Sequence, residues 1–137
     1  MRVLLDTNVV SEFAKGPSPV DALVDSIPDA DIFISTLSMG EIQKGISLRP
    51  VGRGRLELEN WFEELKGLYA DRSILFDLEA ALIWGELAAS TICAGRNIGT
   101  VDLQIAAIAF QHDLTVITRN VRDFIPTGVP VINPWDS

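Results

Sequence analysis

Short runs of aliphatic and β-branched residues alternate along this chain with longer stretches in which apolar residues recur at helical spacing. The short runs predict strands, which fall at residues 2–5, 32–35, 73–76, 115–118 and 129–132. The longer stretches predict helices at residues 9–15, 19–26, 38–48, 55–68, 78–94 and 101–112. Because strands and helices alternate, we expect an α/β fold with a mostly parallel central sheet of about four to five strands. Pro130 lacks a backbone donor, so the last strand should lie at a sheet edge.

The length and composition of the chain favour a single domain. It has 137 residues, of which 47% are hydrophobic, and this is enough to bury one core without crosslinks. The segment 49–54 contains Pro50, Gly52 and Gly54 but is too short for a linker, so we expect a loop within one domain covering residues 1–137. A further apolar set recurs at helical spacing and indicates core or a dimer surface: Trp61, Phe62, Leu65, Leu68 and Tyr69.

Cysteine usage and hydropathy bear on the compartment. Cys93 is the only cysteine, which excludes a disulfide framework and favours a reducing cytoplasm. We expect Cys93 to be a small buried hydrophobe inside a helix. The first residues enter a strand pattern at once, and no apolar run approaches the ~18 residues needed to span a membrane. These observations predict a soluble cytoplasmic protein with no membrane segment.

The net charge of −8 argues against general affinity for nucleic acid, because phosphate binding depends on clustered Lys and Arg. Two features weaken this objection. Arg49, Arg53 and Arg55 gather in a stretch without an intervening acid, which fits either a local RNA contact or a solvated loop. Part of the negative charge also fits a carboxylate cluster that a divalent metal neutralises.

Three acids follow predicted strands or begin predicted helices: Asp6, Glu41 and Asp102. Ligands of open parallel sheets bind beyond the carboxyl ends of the strands, so these positions suit a functional site. Each acid also has an ordinary structural explanation. Asp6 fits a helix N-cap, Glu41 fits a capping box with Ser38, and Asp102 fits the positive end of a helix dipole.

Convergence of these acids on one end of the sheet would require a cation. Carboxylates within a few ångströms repel one another unless one is protonated or a divalent metal stabilises the charged forms. Hard oxygen ligands suit Mg²⁺ or Mn²⁺, and the chain lacks the Cys and His sets that zinc prefers. The three acids therefore predict a magnesium or manganese site.

More polar residues follow the predicted strand at 115–118. Asn120 and Asp123 are candidates to extend the metal site, and Thr118 to bond a carboxylate or hold a water. Arg119 is a candidate contact for the scissile phosphate. Asp123 and Phe124 equally fit a simple cap and plug of a turn.

Five ordered fragments together resemble a known family, the PIN domain, and within it the VapC and FitB toxins of type II toxin–antitoxin systems. The fragments are Leu5-Asp6-Thr7-Asn8; Ser38 with Glu41, Ile42 and Gly45; Asp102 with Ile105, Ala106, Ala107 and Ala109; Val116 to Asn120 with Asp123 and Phe124; and Asn133-Pro134-Trp135. Together they span nearly the whole chain.

The resemblance implies a three-layer α/β/α sandwich and an endoribonuclease dependent on Mg²⁺ or Mn²⁺. It implies a homodimer held inactive by a VapB-like antitoxin, as a heterotetramer or hetero-octamer. By position, Asp6, Glu41 and Asp102 match the metal ligands, and Asn120 stands where several relatives place a fourth aspartate. Asn8, Thr118 and Arg119 are the expected substrate-binding residues. An acidic surface also suits a basic antitoxin segment.

Two chemical routes to RNA cleavage differ in the side chains that they need. Metal-free attack by the 2′-hydroxyl normally uses a positioned acid and base, often two histidines, and this chain has only His112. His112 more simply fits a helix cap or a solvent contact. Attack by a metal-activated water needs only the acids that are present.

Two other functions start from the same features. A phosphatase of the haloacid dehalogenase type also carries an aspartate after its first strand, but it needs a second acid two residues later, where this chain has Asn8. A PIN-like fold that serves only as a binding module is the other alternative.

Overall fold

The computed structural model describes residues 1–136 and contains a five-stranded sheet in the order β3-β2-β1-β4-β5. Every neighbouring pair of strands is parallel. The strands are β1 (Val3–Leu5), β2 (Ile32–Ser35), β3 (Ser73–Ile74), β4 (Thr115–Ile117) and β5 (Val131–Ile132). The prediction of a mostly parallel sheet is confirmed, and β5 lies at an edge directly after Pro130.

Helices cover both faces of the sheet. They are α1 (Thr7–Glu12), α2 (Pro19–Asp25), α3 (Thr36–Ser47), α4 (Arg53–Leu68), α5 (Leu78–Cys93), α6 (Thr100–His112) and α7 (Val121–Phe124). Short 3₁₀ turns lie at Asp29–Asp31 and Ile125–Thr127. Val3 and Leu5 pack into one core cluster with residues of α1 to α4, whereas Leu4 packs into a second cluster with α5 and α6. Alternate residues of β1 thus face opposite sides, and the predicted three-layer α/β/α sandwich is confirmed.

The register of the central strands brings their carboxyl ends together. Leu5 of β1 is aligned with Ile34 of β2 and with Ile117 of β4. The residues that follow these strands are therefore neighbours at the carboxyl end of the sheet, and the Asp6 backbone N–H donates to the Ile117 carbonyl at 2.9 Å. The side chains of Val3, Leu4 and Leu5 are fully buried, so this edge rests on a rigid strand.

The predicted capping box of Ser38 with Glu41 is wrong. Helix α3 begins at Thr36, and Ser35 is its N-cap, whose hydroxyl accepts from the Ser38 backbone N–H at 3.1 Å. Ser35 is the last residue of β2 and directly precedes the helix, so it caps α3, and Ser38 lies buried in the first turn. Glu41 therefore has no part in the cap.

Some of the burial predictions are confirmed and others are wrong. Phe62, Leu65 and Tyr69 are buried, which confirms the core explanation for them, whereas Leu68 is 64% exposed. Cys93 is exposed, so its prediction as a buried hydrophobe is wrong. The buried residues of α5 are Ala80 and Thr91, and Cys93, two positions beyond Thr91, points to another side of the helix.

Within residues 1–136, the structure has no helix that is both long enough and apolar enough to span a membrane.

Candidate acidic active site

Asp6 is the buried centre of the site, with 4% of its surface exposed. It follows β1 and caps α1, and its Oδ1 accepts from the Thr7 backbone N–H at 2.8 Å. Its Oδ2 accepts from the Thr118 hydroxyl at 2.8 Å. Burial raises the pKa of Asp6, the hydrogen bonds from Thr118 and Thr7 lower it, and the charge of Glu41 raises it. The structural N-cap role and a place in the site are thus both found for Asp6.

Asn8 joins the turn after β1 to the turn after β4. Its Nδ2 donates to Thr118 Oγ1 at 3.3 Å, and its Oδ1 accepts from the Arg119 backbone N–H at 3.1 Å. Thr118 Oγ1 accepts in addition from the Asn120 backbone N–H at 2.9 Å. Asn8 and Thr118, both predicted as substrate-binding residues, here position the acids and the loop around them.

Glu41 approaches the site from α3 through Thr7. The Thr7 hydroxyl donates a short hydrogen bond to Glu41 Oε1 and lies 3.0 Å from Ser38 Oγ. Because Thr7 also bonds Asp6 through its backbone, one residue connects both acids. Thr7 and Glu41 line a cleft of about 450 Å³ between α1, α3 and α4, and Trp61 lines it as well. The cleft could not be predicted from the sequence, because its walls come from three separate helices.

Asp102 enters the site from the first turn of α6. Its Oδ2 accepts from the Asn120 side-chain amide at 3.0 Å, and the same amide donates to Asp123 Oδ2 at 2.9 Å. Burial raises the pKa of Asp102 to about 6, with further upward contributions from the charges of Asp6, Asp123 and Glu41. Asn120 therefore lies between Asp102 and Asp123, and the charge of Asp123 acts on Asp102.

The acids lie within electrostatic reach of one another, but they do not form a ready-made metal cage. In the part of the chain that the structure describes, no three Asp, Glu, His or Cys side chains are arranged to hold one ion together. Glu41 bonds Thr7 and Asp102 bonds Asn120, while Asp6 is held by Thr118. The donor chemistry fits Mg²⁺ or Mn²⁺, because the groups are carboxylates that repel one another without a cation. The three-acid metal site stays a prediction.

The remaining candidates lie at the rim of the site or away from it. The Arg119 guanidinium lies 3.8 Å from the centroid of the Trp135 ring and 3.8 Å from Glu12. Arg55 pairs with Glu59 at 3.2 Å and donates to the Arg49 carbonyl at 3.2 Å. The His112 carbonyl accepts from Arg2, which precedes β1, so His112 lies at the opposite end of the sheet. That position agrees with its explanation as a helix end rather than as a catalytic group.

A parallel sheet whose central carboxyl ends gather acids from β1, α3 and α6 is the architecture of a PIN domain, and the PIN-domain family model matches residues 3–126. The chain belongs to this family.

Three relatives are similar over almost their whole length. The plasmid stability protein StbB of Pseudomonas syringae pv. tomato is 36% identical over 98% of this chain and 99% of its own. The VapC ribonuclease Y4jK of Sinorhizobium fredii is 34% identical over 98% of each chain. The toxin FitB of Neisseria gonorrhoeae is 36% identical over 97% of this chain and 98% of its own. The resemblance to VapC and FitB toxins is thereby confirmed.

Solved structures agree with this placement. FitAcB from Neisseria gonorrhoeae superposes with a TM-score of 0.90 at 34% identity, covering 98% of this chain and 99% of that chain. VapBC-5 of Mycobacterium tuberculosis, described as a member of a family of toxin–antitoxin systems, gives a TM-score of 0.74 at 26% identity. It covers 96% of this chain and 98% of that chain.

Proposed function

We propose that this protein is a metal-dependent endoribonuclease and the toxin of a type II toxin–antitoxin pair. The main support for the proposal is that Asp6, Glu41 and Asp102 lie together at the carboxyl end of the sheet. The charges of Asp6 and Glu41 are close enough to raise the pKa of Asp102. The ribonuclease VapC and the toxin FitB, which are similar over nearly the whole chain, supply the substrate class and the role.

The metal in this proposal is Mg²⁺ or Mn²⁺. Asp6 and Asp102 would hold it, and Glu41 would supply a further ligand or the base that orients the attacking water. In either role Glu41 would rotate away from the Thr7 hydroxyl. Both residues line an open cleft, which leaves room for this rotation. When bound, the ion lowers the pKa of a water molecule and neutralises charge that develops on the phosphate oxygens.

The chain's own residues orient the acids and the substrate. The Thr118 hydroxyl and the Thr7 backbone N–H fix both oxygens of Asp6, so that carboxylate needs no reordering before reaction. Asn120 fixes Asp102 through an amide donor. Glu41, in its role as base, would take a proton from the water that attacks phosphorus. The bond between phosphorus and the 3′ oxygen then breaks, and this oxygen takes up a proton from solvent, which by family analogy leaves 5′-phosphate and 3′-hydroxyl ends.

The partners in this proposal are RNA, a VapB-like antitoxin and a second copy of the chain, all in the cytoplasm. The net charge of −8 suits a basic antitoxin segment. Helix α5 exposes large apolar side chains that favour a homodimer: Leu78 at 75%, Leu82 at 64% and Ile92 at 73%. With antitoxin bound, the dimer would form a heterotetramer or hetero-octamer.

RNA cleavage by purified, antitoxin-free protein tests the proposal. Wild type, Asp6→Asn and Asp102→Asn are compared with Mg²⁺, with Mn²⁺ and with chelator. Asp71→Asn is the matched control, because Asp71 is exposed and precedes β3 at the opposite end of the sheet. We expect cleavage only by wild type and Asp71→Asn, and only with metal. Metal-dependent cleavage by Asp6→Asn would rule the assignment out.

One observation favours the second candidate, a PIN-like binding module without catalysis. Among residues 1–136, no three acids are arranged around one point. A metal bound to the native state must raise its thermal stability, so a melting temperature unchanged by millimolar Mg²⁺ and Mn²⁺ would favour the binding module.

A further inference from the structure

Arg119 directly follows Thr118, which bonds Asp6, and its side chain is 55% exposed. Its position is fixed from both ends. The backbone N–H of Arg119 donates to Asn8, and the preceding residue, Thr118, bonds Asp6. The guanidinium carbon lies over the Trp135 ring, 3.8 Å from the centroid, and a guanidinium nitrogen lies 3.8 Å from Glu12 Oε1. A guanidinium stacked in this way keeps its edges free to donate hydrogen bonds.

The positive charge of Arg119 is only partly balanced by the neighbouring carboxylate of Glu12. Glu12 is shared, since Lys15 lies 3.4 Å from the same Oε1. One carboxylate against two cations leaves a net charge of +1 for Glu12, Lys15 and Arg119. This is a local positive spot on a chain of net charge −8.

Trp135 is a firm support for that charge. Its ring packs against the core cluster on the face of α1 to α4. Its backbone N–H donates to the Asn133 side chain at 2.9 Å, which fixes the turn after the edge strand β5. A ring anchored in this way restrains a long side chain that would otherwise sample many rotamers.

We propose that Trp135 is a positioning residue that holds the Arg119 guanidinium at the rim of the acidic site, where it binds a backbone phosphate of the RNA substrate. Glu12 forms an ion-pair contact of 3.8 Å with the guanidinium, which favours this position. A planar guanidinium matches phosphate geometry, and an anchored one loses less conformational freedom on binding. This inference rests on the proposed ribonuclease function for the identity of the ligand.

The test measures binding of a labelled single-stranded RNA in chelator, which prevents cleavage, and steady-state cleavage with Mg²⁺. We expect Arg119→Gln to weaken binding about tenfold. Trp135→Leu should raise Kd and KM about two- to fivefold, with kcat little changed. Trp135→Phe should restore most of the affinity. Losing one phosphate contact should also reduce the salt dependence of binding by roughly 0.7 in slope.

A double-mutant cycle separates positioning from stability. If Trp135 acts through Arg119, Trp135→Leu adds no further loss on the Arg119→Gln background. An additive loss would overturn the proposal. Arg119→Lys changes only an exposed side chain and keeps the charge, so it serves if Trp135→Leu does not fold. It should weaken binding, and unchanged affinity would also overturn the inference.

Arg2 and Phe33 are the matched control pair. The Arg2 guanidinium lies 5.3 Å from the Phe33 ring, but Arg2 precedes β1 and is therefore at the opposite end of the sheet. Arg2→Gln should leave RNA binding unchanged, and an equal loss there would indicate a general charge effect and contradict the proposal. RNA binding is measured without cleavage, so it tests the role of Trp135 and Arg119 even if wild type cleaves no RNA. Failure of the ribonuclease assignment is therefore distinguishable from failure of this inference.

Discussion

Asn120 donates a hydrogen bond of 3.0 Å from its side-chain amide to Asp102 Oδ2. The same amide donates to Asp123 Oδ2 at 2.9 Å. A neutral group therefore separates two carboxylates of the site. The amide stabilises the metal-free site, and it limits how much negative charge the site offers to a cation.

Asn120→Asp tests this balance. An added carboxylate between Asp102 and Asp123 should destabilise the metal-free protein by about 1 kcal/mol, the scale of one pKa unit. It should also increase the rise in melting temperature caused by Mg²⁺. Thermal melting of wild type and variant, with and without metal, measures both effects. A variant as stable as wild type without metal would contradict the role given to the amide.

The pKa of Asp102 predicts an unusual pH dependence of stability. Burial and neighbouring acids raise that pKa from 3.8 to about 6, so the folded state holds a proton more tightly than the unfolded state. The charged Asp102 carboxylate therefore lowers the free energy of unfolding. This loss of stability is fully present above pH 6 and is relieved as the pH falls from about 6 toward 3.8. The metal-free protein should therefore melt at a higher temperature at pH 5 than at pH 7.

Asp102→Asn is the matching variant for this pH measurement. It removes the titrating group while keeping a side chain of nearly the same shape, so its melting temperature should vary less between pH 5 and pH 7. A wild-type melting temperature that rises steadily with pH over this range would contradict the direction of the shift.

Ser35→Ala tests the N-cap of α3. Ser35 accepts from the Ser38 backbone N–H, and the residue is fully buried, so its loss leaves a helix donor without a partner. We expect a destabilisation of about 1 kcal/mol in chemical unfolding. Ser47→Ala, at the last residue of the same helix, is the control and should have a smaller effect.

The exposed apolar stripe on α5 predicts self-association. Leu82→Glu places a charge on this face and should convert a dimer to a monomer in light scattering coupled to gel filtration. Leu68→Glu changes an equally exposed leucine on α4 and should leave the molecular mass unchanged. Equal effects of the two variants, or a monomeric wild type, would rule out α5 as the contact.

Local patterns predicted most of the fold. The strands are short apolar runs and the long helices have clear periodicity, so both were visible in the sequence. Helix α7 was missed because four residues are too few for a periodic signal. The cap of α3 was misplaced because Ser35 and Ser38 both stand near the end of β2, and only the backbone distinguishes them.

The acids of the site could be predicted from the sequence, but the hydrogen bonds and stacking contacts around them could not. Asp6 directly follows β1, Glu41 lies within the helix that follows β2, and Asp102 lies in the first turn of α6, and sequence order reveals these placements. The bond between Asn8 and Thr118 joins positions 110 residues apart, and the stacking of Trp135 on Arg119 depends on how β5 meets the loop after β4. Those relationships come from sheet order, which a single sequence does not specify.

Mn²⁺ binding measured by calorimetry tests most directly whether the acids share one divalent ion. Wild type, Asp6→Asn and Asp102→Asn should be compared with Asp71→Asn as the distant control. We predict one class of site in wild type and in Asp71→Asn, with at least about tenfold weaker binding in each of the other two variants. Equal Mn²⁺ affinity in all four proteins, or no binding to wild type, would contradict the account.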